Sequence, residues 1–500
     1  MQTDIVNIIL GMKLRQARLE AGLSLTEFAE RADLSPSYVT EIEKGRKHPR
    51  ANKIMRMAEI LGVPYDDLVS ISLEPSLTHL NAVLNAPLLY QFPFEEFGIG
   101  ISDLVEVLTR APDKASALLH ALIDLARQYD VQESQFLLAA LRSYQEIHEN
   151  YFPDLEDAAR NFAAEYGLDL THLPLSLADM RALITERFGV QIDETALPQH
   201  PALLGFRSIF IDGPTPRLLL NPRLRPGQVK ILLAREMGYQ YLGLTERSYT
   251  SSPDRADSFQ QVLNDFKASY FAGALFMPQQ PMIDDLKHLF GQERWSPEPL
   301  LAMLSKYDVT PEVLLYRFSE LVPEFFGVPL HFLRFNVTDG DYRLGKRLNM
   351  SNLSLPSNSI NEHHCRRWLS VRLLNDDATA AGITSGLNGS SLRVGVQMSE
   401  FLETQARFLC LGFARPMSLR PEVDSSMIVG FRVDPDLRRI IRFADDPTIP
   451  VVTINETCER CPLDDTQCAV RAVPPTLWQR QTRETEQRQA LNRLMAQMRG

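Results

Sequence analysis

Residues 458–468 read CERCPLDDTQC, and Cys458, Cys461 and Cys468 are three of only five cysteines in 500 residues. A C-x2-C turn points two sulfurs at one centre, and a third thiol beyond a six-residue spacer can close over it. Four thiolates suit either tetrahedral zinc or an iron–sulfur cluster. The fourth ligand must come from elsewhere in the chain. Cys365, in NEHHCRRW, is the candidate, with His363 and His364 beside it as weaker alternatives. Cys410 lies inside the apolar stretch FLCLGFA and reads as a buried structural thiol. Three unligated surface thiols are the plain alternative, but exposed thiols this close together are prone to oxidation.

A second stretch has the frame of a metal site without its ligands. LRPGQVKILLAREMGYQYLGL opens with Pro226 at a helix start and closes at Gly243. It resembles the active-site helix of metallopeptidases of the ImmA/IrrE type, where His-Glu-x-x-His sets two imidazoles one turn apart on zinc and the Glu acts as base. Here those positions read Arg235, Glu236, Met237, Gly238 and Tyr239. Arginine is always protonated and cannot ligate zinc. The downstream LNDFKASYFAGALFMPQ resembles that family's second helix, and the carboxylate-ligand position falls on Lys267 in this reading. The expectation is a peptidase-like fold that does not hydrolyse, with a pocket between the two helices and Tyr239 and Tyr270 as wall residues. Ordinary packing is the plain alternative for both tyrosines.

A third stretch reads DNA. SLTEFAERA begins with Ser24 and Glu27 three later, a capping box, and PSYVTEIEKG follows after a tight turn with Ser35 as cap and Pro36 at its first position. Val39 and Ile42 face inward, and Ser37, Tyr38, Thr40 and Glu41 face out. Two short helices joined by a four-residue turn make a helix-turn-helix, whose second helix enters the major groove. The candidate DNA contacts are Thr26, Ser35, Ser37, Tyr38 and Thr40, with Lys44, Arg46 and Lys47 as phosphate anchors. Net charge is −11, yet residues 44–56 carry six Lys/Arg and no acid. Counterion release depends on charge at the contact, so the local patch decides. The stretch LSLTEFAERADLSPSYVTEIEKGRKHPR resembles the Xre, lambda-repressor-like family throughout, and such modules bind paired half-sites as dimers.

The elements around these stretches set the fold class, which is α+β and predominantly helical. Five hundred residues suggest three or four domains at about 150 each. Residues 1–72 form the helix-turn-helix domain, and 73–172 a helical linker or dimerisation region. Residues 173–327 form the degenerate zincin-like, ligand-binding region. Residues 328–480 form a mixed α/β sensor domain with a modest sheet, and 481–500 a terminal helix. VPLHFLRFNV and YRLGKRL flank an Asp339-Gly340 hairpin turn, and SSLRVGVQM, ARFLCLGFAR, SMIVGFRVD and IPVVTIN read as further strands. No signal peptide and no run of about 18 apolar residues is present, so a reducing, cytoplasmic setting without a membrane partner is expected.

The order of these parts resembles the short-chain fatty acyl transcriptional regulators of the PrpR/RamB type. The parts are an Xre head, HENYFPDLEDAA in the middle, LRPGQ before a degenerate peptidase helix, ASYFAGALFMP, Cys365 followed by Trp368, and the cysteine cluster before VRAVPP. The resemblance implies a non-enzymatic, homo-oligomeric transcription factor of propionate- or acetate-type metabolism that binds an operator in double-stranded DNA. It implies an acyl-CoA effector and a [4Fe-4S] cluster on Cys365, Cys458, Cys461 and Cys468, with zinc as the alternative. The spacer before Cys468 is longer than in the family's tight cluster, and Ala-Val follows in place of Pro-Gln. A CoA needs cations for its phosphates and an apolar slot for its acyl group. Arg223, Arg225 and Arg347 are the candidate phosphate partners, and Tyr270 and Phe271 the slot. The competing readings are a redox, iron or zinc-containing regulator that binds no acyl-CoA, and a metallopeptidase.

Overall fold

The computed structural model describes residues 2–70, 94–98, 133–251, 256–338, 340–355, 362–375, 382–384 and 391–499. Most of the first part of the expected helical region 73–172, residues 73–93 and 99–132, lies outside these residues. The chain forms two compact units, Met1–Tyr144 with Arg255–Val262, and Gln145–Asp254 with Leu263–Gly500.

The first unit contains α1 (Gln2–Glu20), α2 (Leu25–Ala32), α3 (Pro36–Glu43), α4 (Ala51–Leu61) and α5 (Tyr65–Val69). The sequence sets these boundaries locally. Ser24 and Glu27 form the full capping box on α2, and Ser35 accepts the N–H of Tyr38 at the start of α3. The turn between them places Asp33 at φ 55°, a left-handed conformation that Asp tolerates. Phe28, Val39, Ile42 and Met57 are fully buried where α1–α4 meet. Arg18 of α1 donates from Nε (2.6 Å) and Nη2 (2.9 Å) to the two carboxylate oxygens of Glu43. Both side chains are buried, so this bidentate pair locks the reading helix to α1.

The remaining helices are α6 (Glu133–Ile147), α7 (Pro153–Glu165), α8 (Leu177–Phe188), α9 (Pro226–Tyr241), α10 (Phe259–Phe276), α11 (Gln279–Phe290), α12 (Glu298–Tyr307) and α13 (Pro311–Phe326). Strands β1 (Gln191–Asp193), β2 (Ser208–Ile211) and β3 (Arg217–Leu220) form a small sheet of order β1-β3-β2. The expected hairpin is β4 (Leu330–Thr338) and β5 (Asp341–Asn349), with Gly340 at φ 78° in its turn and Asp339 outside the described residues. Then come α14 (Leu369–Arg372), β6 (Ile383–Thr384), β7 (Arg393–Phe401), β8 (Arg407–Pro416), β9 (Asp424–Arg432), α15 (Pro435–Ile440), β10 (Val451–Ile454) and α16 (Thr476–Arg499).

The seven-stranded sheet has the order β10-β7-β8-β9-β4-β5, with β6 beside β7. Its two faces follow strand alternation. Phe332, Val396, Leu409, Leu411, Val429 and Phe431 pack against α11–α13, in one core that crosses residue 327. Leu333, Phe335, Phe408, Cys410 and Ile428 pack on the opposite side against Cys365, Trp368, Leu369 and Val371. The segment that carries Cys365 is therefore a third layer laid on the sheet.

Candidate functional site

On the helix-turn-helix, Thr26, Ser35, Ser37, Arg46 and Lys47 are exposed, and Tyr38, Thr40 and Lys44 are half-buried. Ser35 is committed to capping, with its Oγ 3.2 Å from the Tyr38 nitrogen and 3.1 Å from Ser37 Oγ. Thr40 donates its hydroxyl to the Pro36 carbonyl at 2.9 Å, so toward a base it can only accept. Tyr38 carries two cations on its ring, Lys53 Nζ at 4.3 Å from the centroid and Lys47 Nζ at 5.6 Å. Lys53 is a DNA-facing candidate that the sequence reading missed. Its signal lay in the basic run 44–56.

The degenerate metal helix is α9, and its former ligand positions are filled by ion pairs. Arg235 donates from Nη2 to Asp265 Oδ1 on α10, and Tyr239 donates its hydroxyl to the same oxygen at 3.2 Å. Glu236 receives Nη1 (2.8 Å) and Nη2 (2.6 Å) of Arg247 and also the Gln240 amide at 3.0 Å. The Arg247 guanidinium lies 3.7 Å from the Phe210 ring centroid and 4.1 Å from that of Tyr239. Burial works against the charge on Arg235, but Asp265, Tyr239 and Glu236 together outweigh it and raise the guanidinium pKa. Burial, reinforced by Asp265, pushes the Tyr239 phenol up. These groups border a solvent-open cleft of about 300 Å³ with Ser208, Thr250 and Ser251 on its wall.

Three expectations about this region are corrected. The carboxylate facing the former ligand positions is Asp265, not Lys267, because two residues along a helix turn the side chain to the opposite side. Tyr270 does not line the cleft. Its hydroxyl donates to Glu156 Oε1 at 2.8 Å and accepts the Phe152 N–H at 3.2 Å, inside a buried network where Arg317 pairs with Glu156 and Glu320. Phe271 packs between helices, among Phe162 and Tyr241, and a Cβ on Gly238 would stand 2.9 Å from its Cδ1. It is part of the helix contact and forms no slot.

A concentration of cations surrounds Glu312 at the start of α13. Arg334 of β4 donates from Nη1 to Glu312 at 2.9 Å, while its Nε is buried without an acceptor among the described residues. Burial would raise the Glu312 pKa, but Arg334, Lys346 and Arg207 hold it at about 2. Lys346 of β5 keeps solvent access and lies 3.6 Å from the Tyr316 ring centroid. The surrounding walls strip enough water from it to lower its pKa to about 8, with Glu312 opposing the shift. Burial also lowers the pKa of Arg415 on β8, where Glu312 opposes the shift and Arg225 and Arg207 add to it. Of the predicted phosphate partners, Arg225 is exposed just before α9, and its charge acts on Arg415. Arg223 is exposed in the loop before α9, and Arg347 is exposed on β5 next to Lys346. Lys346, rather than Arg347, is the hairpin cation of the cluster.

The cysteine site joins two distant segments. The N–H of Cys365 donates to the Glu456 carbonyl (3.1 Å) and that of Cys458 to the His363 carbonyl (2.9 Å), around an antiparallel bridge between His364 and Thr457. The Trp368 indole N–H donates to the Asn455 carbonyl at 2.7 Å. Glu362 accepts from Thr457 and from two nitrogens of Arg460, all at 2.8 Å. Cys365, Cys458, Cys461 and Cys468 are all buried free thiols. Burial pushes the Cys365 thiol up to about 11. The peptide N–H groups of Asn455 and Arg367 oppose this shift, and the neighbouring Cys458 and Cys461 add to it. His363 is held by Glu459, and burial takes the pKa of His364 down to about 4. Among the described residues, no three or more His, Cys, Asp or Glu side chains are arranged to hold a single metal ion. Cys410 is buried in β8, as expected of a structural thiol.

Two family profiles match the chain, "Helix-turn-helix" over residues 14–68 and "IrrE N-terminal-like domain" over residues 185–319. Curated relatives include the HTH-type transcriptional regulator RamB of Mycobacterium tuberculosis, 25% identical over 352 residues, covering 65% of this chain and 68% of that one. The propionyl-CoA carboxylase regulator of Cereibacter sphaeroides is 24% identical over 345 residues, with 65% and 68% covered. The HTH-type transcriptional regulator PrpR of Mycobacterium tuberculosis is 23% identical over 367 residues, with 67% and 68% covered. A solved structure, a Mycobacterium tuberculosis transcriptional regulator, aligns with a TM-score of 0.45 at 19% identity, covering 67% of this chain and 92% of that one.

Proposed function

Because the chain belongs to the RamB/PrpR type of helix-turn-helix transcriptional regulators, we propose that it controls short-chain fatty acid metabolism in response to an acyl-CoA and carries a cysteine-ligated [4Fe-4S] cluster. The helix-turn-helix binds an operator as a homodimer in the cytoplasm, and the degenerate peptidase helix performs no hydrolysis. Arg235 and Tyr239 leave no imidazole for a metal, and Glu236 is occupied by Arg247.

The observation that carries the effector reading is the cation group around Glu312. Arg207, Arg334, Lys346 and Arg415 all lie in the field of Glu312, with Glu320 and Asp265 acting on Lys346 as well, and this concentration of positive charge suits the phosphates of a CoA. An acyl-CoA that binds one conformation better than another shifts the population of operator-competent dimers. Thermal unfolding with a panel of acyl-CoAs, free CoA and inorganic phosphate tests this reading. Stabilisation by acyl-CoAs above that by free CoA is expected. Equal unfolding temperatures throughout would end it.

For the cluster, four buried thiols, with peptide N–H groups directed at the sulfurs of Cys365 and Cys458, fit a sulfur-ligated iron centre. Cys365, Cys458, Cys461 and Cys468 would hold it. When bound, the cluster supplies a state that responds to oxidation and iron supply. Iron and acid-labile sulfide analysis after anaerobic purification tests it, and stoichiometric zinc without sulfide would refute it.

A further inference from the structure

Hydrogen-bond donors surround the cysteine site, and two of them have no acceptor among the described residues. The Ala472 N–H is directed at Cys458 Sγ at 3.4 Å, and the peptide N–H groups of Asn455 and Arg367 serve Cys365. Two further atoms of the cysteine-bearing segments, Asn455 Nδ2 and Arg471 Nε, are buried with no acceptor among the described residues. Both are donors, and neither can accept. Arg471 also brings a full charge, with its side chain only 9% exposed. Its Nη1 donates to Asp465 at 3.2 Å, its Nη2 to the Cys461 carbonyl at 3.4 Å, and its peptide N–H to the Cys468 carbonyl at 3.4 Å. Asp465 is 88% exposed, so water screens its hold on the guanidinium.

A buried donor without an acceptor is costly, and so is a buried cation without an anion. Besides the Ser370 hydroxyl, which can donate or accept, the orphaned atoms on the segments that carry the thiols are these two donors, and they point to a missing acceptor of negative charge. We propose that Arg471 is the charge-compensating positioning residue of the cysteine-ligated centre, with Asn455 Nδ2 as a second donor to it. This rests on the cluster reading given above. Thiolate ligation makes such a centre anionic, and reduction adds a further electron. A fixed guanidinium stabilises the reduced form more than the oxidised one and so raises the reduction potential. A purely structural role, stapling Cys461 to Cys468, would leave the potential unchanged.

The test is an anaerobic redox titration of the full-length protein, followed by visible absorption and electron paramagnetic resonance, with iron and sulfide counted in each sample. Arg471→Gln is expected to lower the midpoint by about 59 mV, a tenfold change in the one-electron equilibrium. Arg471→Lys should retain most of the potential, and Asn455→Ala should lower it by less than Arg471→Gln. A wild-type cluster with Arg471→Gln at the same potential overturns this inference and leaves the cluster reading intact. Wild-type protein without iron and sulfide overturns both. If Arg471→Gln assembles no cluster, Asn455→Ala decides, and a wild-type potential in that variant would overturn the proposal.

Discussion

Glu236, at the position of a peptidase's general base, receives both terminal nitrogens of Arg247, at 2.8 and 2.6 Å. A carboxylate held this way does not activate water. It forms half of an ion pair that joins α9 to the segment after it, while Arg235 and Asp265 join α9 to α10. Charge pairing occupies the place of a metal.

Glu236→Gln should therefore destabilise the protein by about 3 kcal/mol, because it leaves a largely buried guanidinium without its anion. Urea unfolding reads this directly. A variant as stable as wild type would mean that the pair is structurally idle.

On the DNA face, Lys53→Ala should weaken binding to specific and non-specific duplexes alike and reduce the slope of log affinity against log salt by about 1. Lys47→Ala should do the same. Tyr38→Ala should instead relax discrimination between operators, since the ring is held by both lysines at the exposed end of α3. Fluorescence anisotropy at several salt concentrations separates these outcomes.

Lys346 predicts a pH dependence. Its folded pKa of about 8 lies below its ordinary value of 10.5, so the charged form is disfavoured in the fold. The destabilisation is present below about pH 8 and is relieved as pH rises from there toward 10.5. Lys346→Met should thus be slightly more stable than wild type at neutral pH. A phosphate ligand prefers the charged form, so wild-type affinity for a CoA should fall between pH 7 and 9. Calorimetric titration should find that fall missing in Lys346→Met, along with most of the affinity.

Cysteine replacements should divide by location. Cys365→Ser and Cys458→Ser should lose the visible absorption of the anaerobic protein, and Cys410→Ala should keep it, because Cys410 lies in β8 facing Ser399 and His331. Loss of colour in Cys410→Ala alone would move the centre into the sheet.

The helix-turn-helix was legible because its signals act over four or five residues. Ser24 with Glu27, Ser35 with Pro36, and the spacing of Val39 and Ile42 specify caps and an inward face without reference to the rest of the chain. The strands and hairpin of the sheet were legible for the same reason, through alternation and turn chemistry. The loss of imidazole at 235 and 239 could also be read directly.

What filled those positions could not. Asp265 rather than Lys267 meets Arg235 because the rotation of α10 about its axis selects one of two nearby residues, and only packing against α9 sets that rotation. The cations around Glu312 come from a loop, two hairpin strands and β8, more than 200 residues apart in sequence. The sequence alone determined the reading head, the strand pattern and the list of available thiols, since each follows from local backbone preference and side-chain chemistry. Tertiary structure decided which charges face one another and which donors gather around the cysteines, because those relations depend on the phase and register of elements that meet only in the folded chain.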